Sequence, residues 1–199
     1  MKQEEKNRRS RAHILEHAFA EFAAQGYLGA SVNAICAAGS ISKGLLYHYY
    51  ADKDALYLAC VEACFRELTA ALTDSLSAQT VTPVQYFDAR LRYFEAHPQH
   101  QRLFCDAVVN PPPHLRDALA ACRAPFDALN EALLTAILQK ERLAEGISIQ
   151  DAIRQLRILE DCVSTSLKNA EQGEQQAEQH NRLCRQTFHT MLYGLIARP

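Results

Sequence analysis

The sequence lacks any apolar run long enough to cross a membrane. Its longest unbroken apolar stretches fall far short of the ~18 residues that a membrane span needs. The charged segment from Met1 to Arg9 is not followed by the apolar run that a secretory signal would have. We therefore expect a cytoplasmic protein with no membrane partner.

Glycine and proline are also scarce, at seven residues each among 199. No alternating run rich in Val, Ile and Thr stands out, which disfavours a β-sandwich or barrel. The sequence has no Gly-x-Ser-x-Gly segment, no phosphate-binding glycine loop and no paired-carboxylate constellation. We therefore expect neither an enzyme nor a bound cofactor.

The seven cysteines are odd in number, and most lie within apolar helical patterns. This usage predicts reduced thiols that pack as small hydrophobes. Cys60 and Cys64 could lie on one helix face and bind a metal together, and so could His97 and His100. The cysteine pair lies on an apolar stripe, however, and the histidine pair straddles a helix boundary, so we expect no metal site.

Helical periodicity runs through the whole chain and predicts an all-α fold of about nine helices. Ser31, Ser42 and Asp52 are predicted to cap the second, third and fourth helices. The expected helices span about 10–25, 31–39, 42–50, 52–78, 83–97, 99–109, 114–143 (kinked or broken at Pro125), 149–170 and 183–196.

The first four helices indicate a DNA-binding arrangement. The second and third are short and joined by a turn containing Gly39, which is typical of a helix-turn-helix. A basic cluster, consisting of Lys6, Arg8, Arg9 and Arg11, lies before and at the start of the first helix.

Three segments in this region carry a family resemblance. They are AFAEFAAQGY at 18–27, SVNAICAAG at 31–39 and ISKGLLYHYYADKDAL at 41–56. With these Gly, Ser, Tyr and Lys positions in order, residues 11–60 resemble the DNA-binding domain of the tetracycline-repressor (TetR) family of bacterial transcription regulators. The resemblance implies a palindromic double-stranded DNA operator, a small-molecule effector and a homodimer.

The same resemblance assigns roles to individual residues. Tyr47 and Lys53 occupy positions that clamp the DNA backbone, and Ser42, Lys43 and Leu45 occupy base-facing positions. Gly44 would let the backbone approach the DNA closely, and Ser31 and His48 are placed for phosphate contacts. Two features depart from the expected pattern: Asp52 and Asp54 flank Lys53, and Tyr50 stands where the family usually has a buried Phe, so its hydroxyl needs a partner.

We expect residues 1–55 to form the DNA-binding domain and residues 56–199 the effector-binding and dimerisation domain, with the fourth helix linking them. The pocket candidates are mainly aromatic, which favours an apolar or aromatic effector. They are Phe65, Leu68, Tyr93, Phe94, His100, Phe104, Cys122 and Phe126. The predicted dimer interface consists of Leu156, Leu159, Val163, Phe188 and Leu192.

The sequence thus predicts a DNA-binding transcriptional regulator, a repressor released by its effector. Two alternatives stay open: a thiol- or metal-responsive regulator of the same fold, and a helical protein-interaction module without DNA binding.

Overall fold

The computed structural model describes residues 2–76, 81–169 and 174–195, and within these ranges the chain forms α-helices and no β-strand. This confirms the predicted all-α class. The nine helices in the described ranges are α1 (Lys2–Gly29), α2 (Val32–Ala38), α3 (Lys43–Tyr49), α4 (Lys53–Leu76), α5 (Pro83–Ala96), α6 (Pro98–Val109), α7 (Arg116–Leu138), α8 (Ile149–Asn169) and α9 (Glu174–Leu195). A short 3₁₀ turn, Pro113–Leu115, precedes α7.

The start of α1 was predicted wrongly, because the helix begins at Lys2 rather than near Ser10. Polar side chains one turn apart stabilise this exposed extension. Arg9 Nε donates to Glu5 Oε1 at 3.1 Å, and Gln3 Nε2 donates to Asn7 Oδ1 at 3.1 Å. Such pairs each contribute a few tenths of a kcal/mol, and they leave no apolar stripe for periodicity to detect.

Gly26 interrupts α1 where the sequence predicts its end. Its φ of 65° and ψ of 176° are not helical, and a last helical turn continues to Gly29. A side chain at Gly26 would also approach Asp106, since a Cβ there would lie 3.1 Å from Asp106 Oδ1. Both the positive φ and the close approach favour glycine.

Further along the chain, two predicted boundaries differ from the structure. Helix α7 ends at Leu138 rather than near Leu143, and α9 begins at Glu174 within a polar segment that we expected to be a linker.

Helix α7 also continues through Pro125 without a break. Packing of the apolar face, which includes the buried Phe126 and Leu134, offsets the hydrogen bond that the proline removes.

The chain divides into two compact units. The first comprises residues 1–65 and 98–123, and the second comprises residues 66–97 and 124–199. In the first unit α1 packs against α2 and α6, and its core includes the fully buried Ile14, Phe22 and Leu46. These units are defined by packing alone, and the functional division after residue 55 stays a prediction.

The second unit has its own apolar core from α5, α7, α8 and α9. The rings of Phe87 and Phe188 stack with centroids 3.9 Å apart. Arg185 on α9 pairs with two carboxylates of α5, Asp88 at 3.4 Å and Glu95 at 3.2 Å. Apolar burial therefore holds α5 to α9, and a partly exposed ion-pair network lies along the same contact.

Candidate nucleic-acid interface

The caps predicted for the helix-turn-helix segment are present. Ser31 Oγ accepts a hydrogen bond from Asn33 N at 3.2 Å, and Ser42 Oγ accepts one from Leu45 N at 3.2 Å. Asp52 Oδ1 accepts from Ala55 N at 2.8 Å at the start of α4. These bonds satisfy amides that the helix itself leaves unpaired, so each cap fixes where its helix begins.

Helix α3 has a buried side and an exposed side. Leu46 is fully buried, whereas Leu45 and Tyr47 are 38% and 49% exposed. The predicted contact residues Ser42, Lys43, Gly44 and His48 are exposed as well. The helix therefore presents, on one continuous surface, every residue that the sequence predicts to face DNA between positions 42 and 48.

Two tyrosines next to this surface connect α3 to α1. Tyr49 donates its hydroxyl hydrogen to Asn7 Oδ1 at 3.2 Å. The buried Tyr50 hydroxyl accepts a hydrogen bond from Arg11 Nε at 3.4 Å, and the Arg11 guanidinium lies 5.6 Å from the ring centroid. Burial raises the pKa of Tyr50, while the Arg11 hydrogen bond and charge lower it. Arg11 is thus the partner that the tyrosine in place of phenylalanine requires.

Lys53 is held by an aromatic side chain. Its Nζ lies 4.6 Å from the centroid of the Tyr27 ring, a separation typical of a cation–π contact. The Tyr27 hydroxyl donates to Asp54, which also lies 3.1 Å from His114 Nε2. Burial, and then the bond to Asp54, raises the pKa of Tyr27 to about 12. The acidic neighbours of Lys53 are therefore engaged elsewhere, Asp52 as a cap and Asp54 with Tyr27 and His114.

Asp106, which no sequence pattern indicated, connects three helices of the first unit. Its Oδ2 accepts hydrogen bonds from Tyr27 N and from the Tyr57 hydroxyl, each at 3.0 Å. Burial, and then the Asp106 charge, raises the pKa of Tyr57 well above its usual range. No local pattern announces this residue, because its two partners are 79 and 49 positions away in the chain.

The eight pocket candidates divide equally between the two units. In the first unit Phe65 and Phe104 are in edge-to-face contact, with centroids 5.3 Å apart, and His100 lies against the Phe19 ring at 4.6 Å. Cys122, the fourth candidate there, is half-buried. These contacts are ordinary core packing, and they leave an effector role for the four residues a prediction.

The second unit holds the other four, Leu68, Tyr93, Phe94 and Phe126, and all are buried. The Tyr93 ring stacks on His97 at 4.4 Å and meets Phe94 at 5.6 Å. The Arg90 guanidinium lies 5.5 Å from the centroid of Phe126. Two buried polar residues, Arg90 and Asn130, were not singled out from the sequence, because neither belongs to an apolar stripe.

Four of the five predicted dimer residues are already buried in the single chain. Leu156, Leu159, Phe188 and Leu192 are between 1% and 6% exposed and belong to the core of the second unit. These four side chains therefore leave almost no surface that a partner chain could cover. Val163 lies in α8 with its side chain outside the described part of the structure.

Six of the seven cysteines are free thiols, and the side chain of Cys162 lies outside the described residues. Burial raises the pKa of Cys60 to about 12 and that of Cys184 to about 11. Because the thiolate is the reactive form, these two thiols are poor redox or metal-binding groups at neutral pH.

Comparisons with known proteins agree with this architecture. Residues 14–60 match the family described as bacterial regulatory proteins, tetR family. The HTH-type transcriptional repressor SCO4008 of Streptomyces coelicolor is 33% identical over 94 residues, and the match spans 47% of this chain and 47% of the relative. This chain thus matches about half the length of that repressor.

Solved structures resemble the fold over nearly the whole chain. FadR of Bacillus subtilis in complex with stearoyl-CoA has a TM-score of 0.73 at 13% identity, covering 92% of this chain and 98% of that one. The regulatory protein TetR of Rhodobacter sphaeroides has a TM-score of 0.71 at 16% identity, covering 94% and 99%. Among the described residues, no helix is both long and apolar enough to span a membrane. The N-terminal helix-turn-helix segment, residues 14–60, is therefore similar to the tetR family of bacterial regulatory proteins, and the fold of the whole chain is that of solved regulators of this kind.

Proposed function

We propose that this chain is a TetR-family regulator that binds operator DNA through α3 and the residues at its two ends. The observation that carries the proposal is the exposure of α3, on which Lys43, Leu45 and Tyr47 are all exposed although Leu46 is fully buried. Exposed apolar and aromatic side chains beside a cation suit a major groove, where base edges and phosphates lie together.

Contacts to the DNA backbone are the second part of the proposal. Lys53, placed by the Tyr27 ring, supplies a positive charge at the start of α4, and Tyr47 and His48 supply hydrogen-bonding groups on the exposed side of α3. Ser31 is half-exposed at the start of α2, where its hydroxyl can donate to a phosphate oxygen while it caps the helix. Such contacts set the register of the helix on DNA and carry little base information.

We further propose that the chain acts as a homodimer on a palindromic operator. Two copies of α3 are needed to contact half-sites about one helical turn apart. In place of the residues already buried in the core, we assign the contact to the exposed faces of α8 and α9. Ile158 on α8 is 56% exposed and Leu183 on α9 is 58% exposed, and both are large apolar side chains.

The effector is proposed to be a small, mostly apolar molecule that releases the repressor from DNA. The candidates in the second unit are mainly aromatic, including the contacting pair Tyr93–Phe94, which favours an apolar ligand. The solved relative from Bacillus subtilis carries stearoyl-CoA, whose acyl chain is apolar. Cys60 and Cys184 are poor candidates for a thiol-responsive mechanism, because burial raises the pKa of both thiols.

Selection from a random pool of double-stranded DNA tests the proposal directly. The purified wild-type chain should enrich a palindrome with two half-sites about 10 base pairs apart, centre to centre, or a multiple of that spacing. A Tyr47→Ala variant, selected in parallel, should bind the enriched sequence more weakly at equal salt concentration. Recovery of an unenriched pool by the folded wild-type chain would contradict the proposal and favour the protein-interaction alternative.

A further inference from the structure

A cluster of side chains of the types that bind metals lies on α1, and none of them is among the proposed DNA-contact residues. His13, Glu16 and His17 follow the i, i+3, i+4 spacing that places side chains on one helix face. Their nitrogen and oxygen donor atoms lie within 4.8 Å of one another. His13 and Glu16 are exposed and His17 is half-buried, so an ion from solution can reach all three.

The turn between α2 and α3 orients both imidazole rings. His13 Nε2 lies 2.9 Å from the carbonyl oxygen of Gly39. Because a carbonyl only accepts hydrogen bonds, Nε2 carries the proton and Nδ1 keeps its lone pair for a metal. Histidine ligands commonly donate their other ring N–H to a backbone carbonyl in this way.

The second ring is placed by the same glycine. A Cβ on Gly39 would lie 2.6 Å from Cδ2 of His17, so the imidazole packs directly on the turn. The two rings meet edge to face, with centroids 4.7 Å apart. The α2–α3 turn therefore restricts both histidines before any ion arrives, which lowers the entropic cost of forming a site.

We propose that His13, Glu16 and His17 bind a divalent first-row transition ion of the zinc class. Two imidazoles and one carboxylate are ligands that suit zinc, and water fills the remaining coordination positions. Donors on one tetrahedral zinc lie about 3.4 Å apart, so a rotation of the exposed Glu16 side chain, with slight shifts of the two rings that keep the His13 bond to Gly39, completes the set.

A bound ion would act on the helix-turn-helix through the ring of His13. Coordination at Nδ1 withdraws electron density from the imidazole and strengthens the donation from Nε2–H to Gly39. It would thereby brace α1 against the turn that precedes α3. This role is independent of the operator and effector proposed above, since it concerns the free protein.

Titration with Co²⁺ as a spectroscopic probe tests the site on the full-length chain. We expect one ion per chain, with ligand-field absorption of a nitrogen and oxygen site and without intense thiolate-to-cobalt charge transfer. Zn²⁺ should displace the Co²⁺ and, at about a hundred times its dissociation constant, raise the Tm by about 5 °C or more.

The variants Glu16→Gln and His17→Gln each remove one ligand while leaving the His13 bond to Gly39 in place. Each should weaken Co²⁺ binding about ten-fold or more and reduce the Tm shift, with the helical content of the metal-free chain unchanged by circular dichroism. His189→Gln, an exposed histidine on α9 in the second unit, is the matched control and should bind like wild type. Wild-type affinity in both ligand variants, or a spectrum dominated by thiolate ligands, would overturn the proposal.

Discussion

The two glycines on either side of Ser42 have opposite surroundings. A Cβ at Gly39 would lie 2.5 Å from Ile41 Cδ1 and 2.6 Å from His17 Cδ2, which is closer than such atoms can approach. Among the residues that the structure describes, a Cβ at Gly44 would meet no atom within 4 Å. Glycine at 39 is therefore explained by packing inside the chain, whereas no contact among the described residues explains glycine at 44, as expected if DNA approaches the backbone there.

This difference predicts opposite effects of the same substitution. Gly39→Ala should destabilise the fold by about 1–3 kcal/mol, because the side chains of Ile41 and His17 must shift. Gly44→Ala should leave stability unchanged or raise it by up to ~1 kcal/mol, since alanine favours helix, yet it should weaken operator binding. Urea unfolding and gel-shift titration of both variants measure the two effects. Full operator affinity in Gly44→Ala would show that DNA does not approach the backbone there.

Side chains on the exposed face of α3 should separate into base-reading and backbone-holding roles. Lys43→Ala should relax the preference at one base pair by about 1–3 kcal/mol, whereas Tyr47→Ala should weaken binding to all sequences similarly. Both side chains are exposed, so unfolding free energies should stay within ~0.5 kcal/mol of wild type. Lys140→Ala, which removes an exposed lysine of the second unit, is the control. A selected consensus that is unchanged in Lys43→Ala would exclude base reading by Lys43.

At the scale of whole helices, local sequence predicted where α2, α3 and α4 begin but not what the helices contact. The caps Ser31, Ser42 and Asp52 were predictable because each bonds an amide two or three residues away. The early start of α1 was not, since exposed polar pairs leave no periodic signal. Asp106 was also beyond prediction, because a carboxylate in a helical pattern is usually solvated.

Asp106 illustrates how one side chain holds several elements together. It accepts from the α1 backbone at Tyr27 and from the Tyr57 hydroxyl on α4, while it belongs to α6 itself. Asp106→Ala leaves both donors without this acceptor, which typically costs about 1–3 kcal/mol for each unsatisfied buried group. Asp106→Asn should cost less, because its amide oxygen still accepts.

Urea unfolding of the two variants, followed by circular dichroism, measures this difference. Glu62→Ala, at an exposed position on α4 of the same unit, should change the unfolding free energy by no more than ~0.5 kcal/mol. If Asp106→Ala proves as stable as Glu62→Ala, the carboxylate does not connect the helices as argued.

For the whole molecule, periodicity identified apolar stripes without specifying what covers them. Leu156 and Phe188 were assigned to a partner chain, yet each is nearly fully buried within its own unit. The amphipathic pattern of a helix is the same whether a neighbouring helix or a second chain covers the stripe. Only the three-dimensional packing separates these residues from Ile158 and Leu183, which stay exposed on the same two helices.

This separation makes the proposed dimer testable with variants on the two sides of one helix. Ile158→Glu and Leu183→Glu should each place a charge in the interface and give monomers with wild-type helical content, because both side chains are exposed in the single chain. Leu156→Glu, by contrast, buries a charge in the core and should unfold the second unit. Sedimentation velocity at micromolar concentration and thermal unfolding distinguish these outcomes.

The monomeric variants should also lose affinity for the full palindrome while retaining weak binding to a single half-site, since only a dimer spans both half-sites. Ile158→Glu and Leu183→Glu proteins that both sediment as wild-type dimers would move the interface away from these faces of α8 and α9.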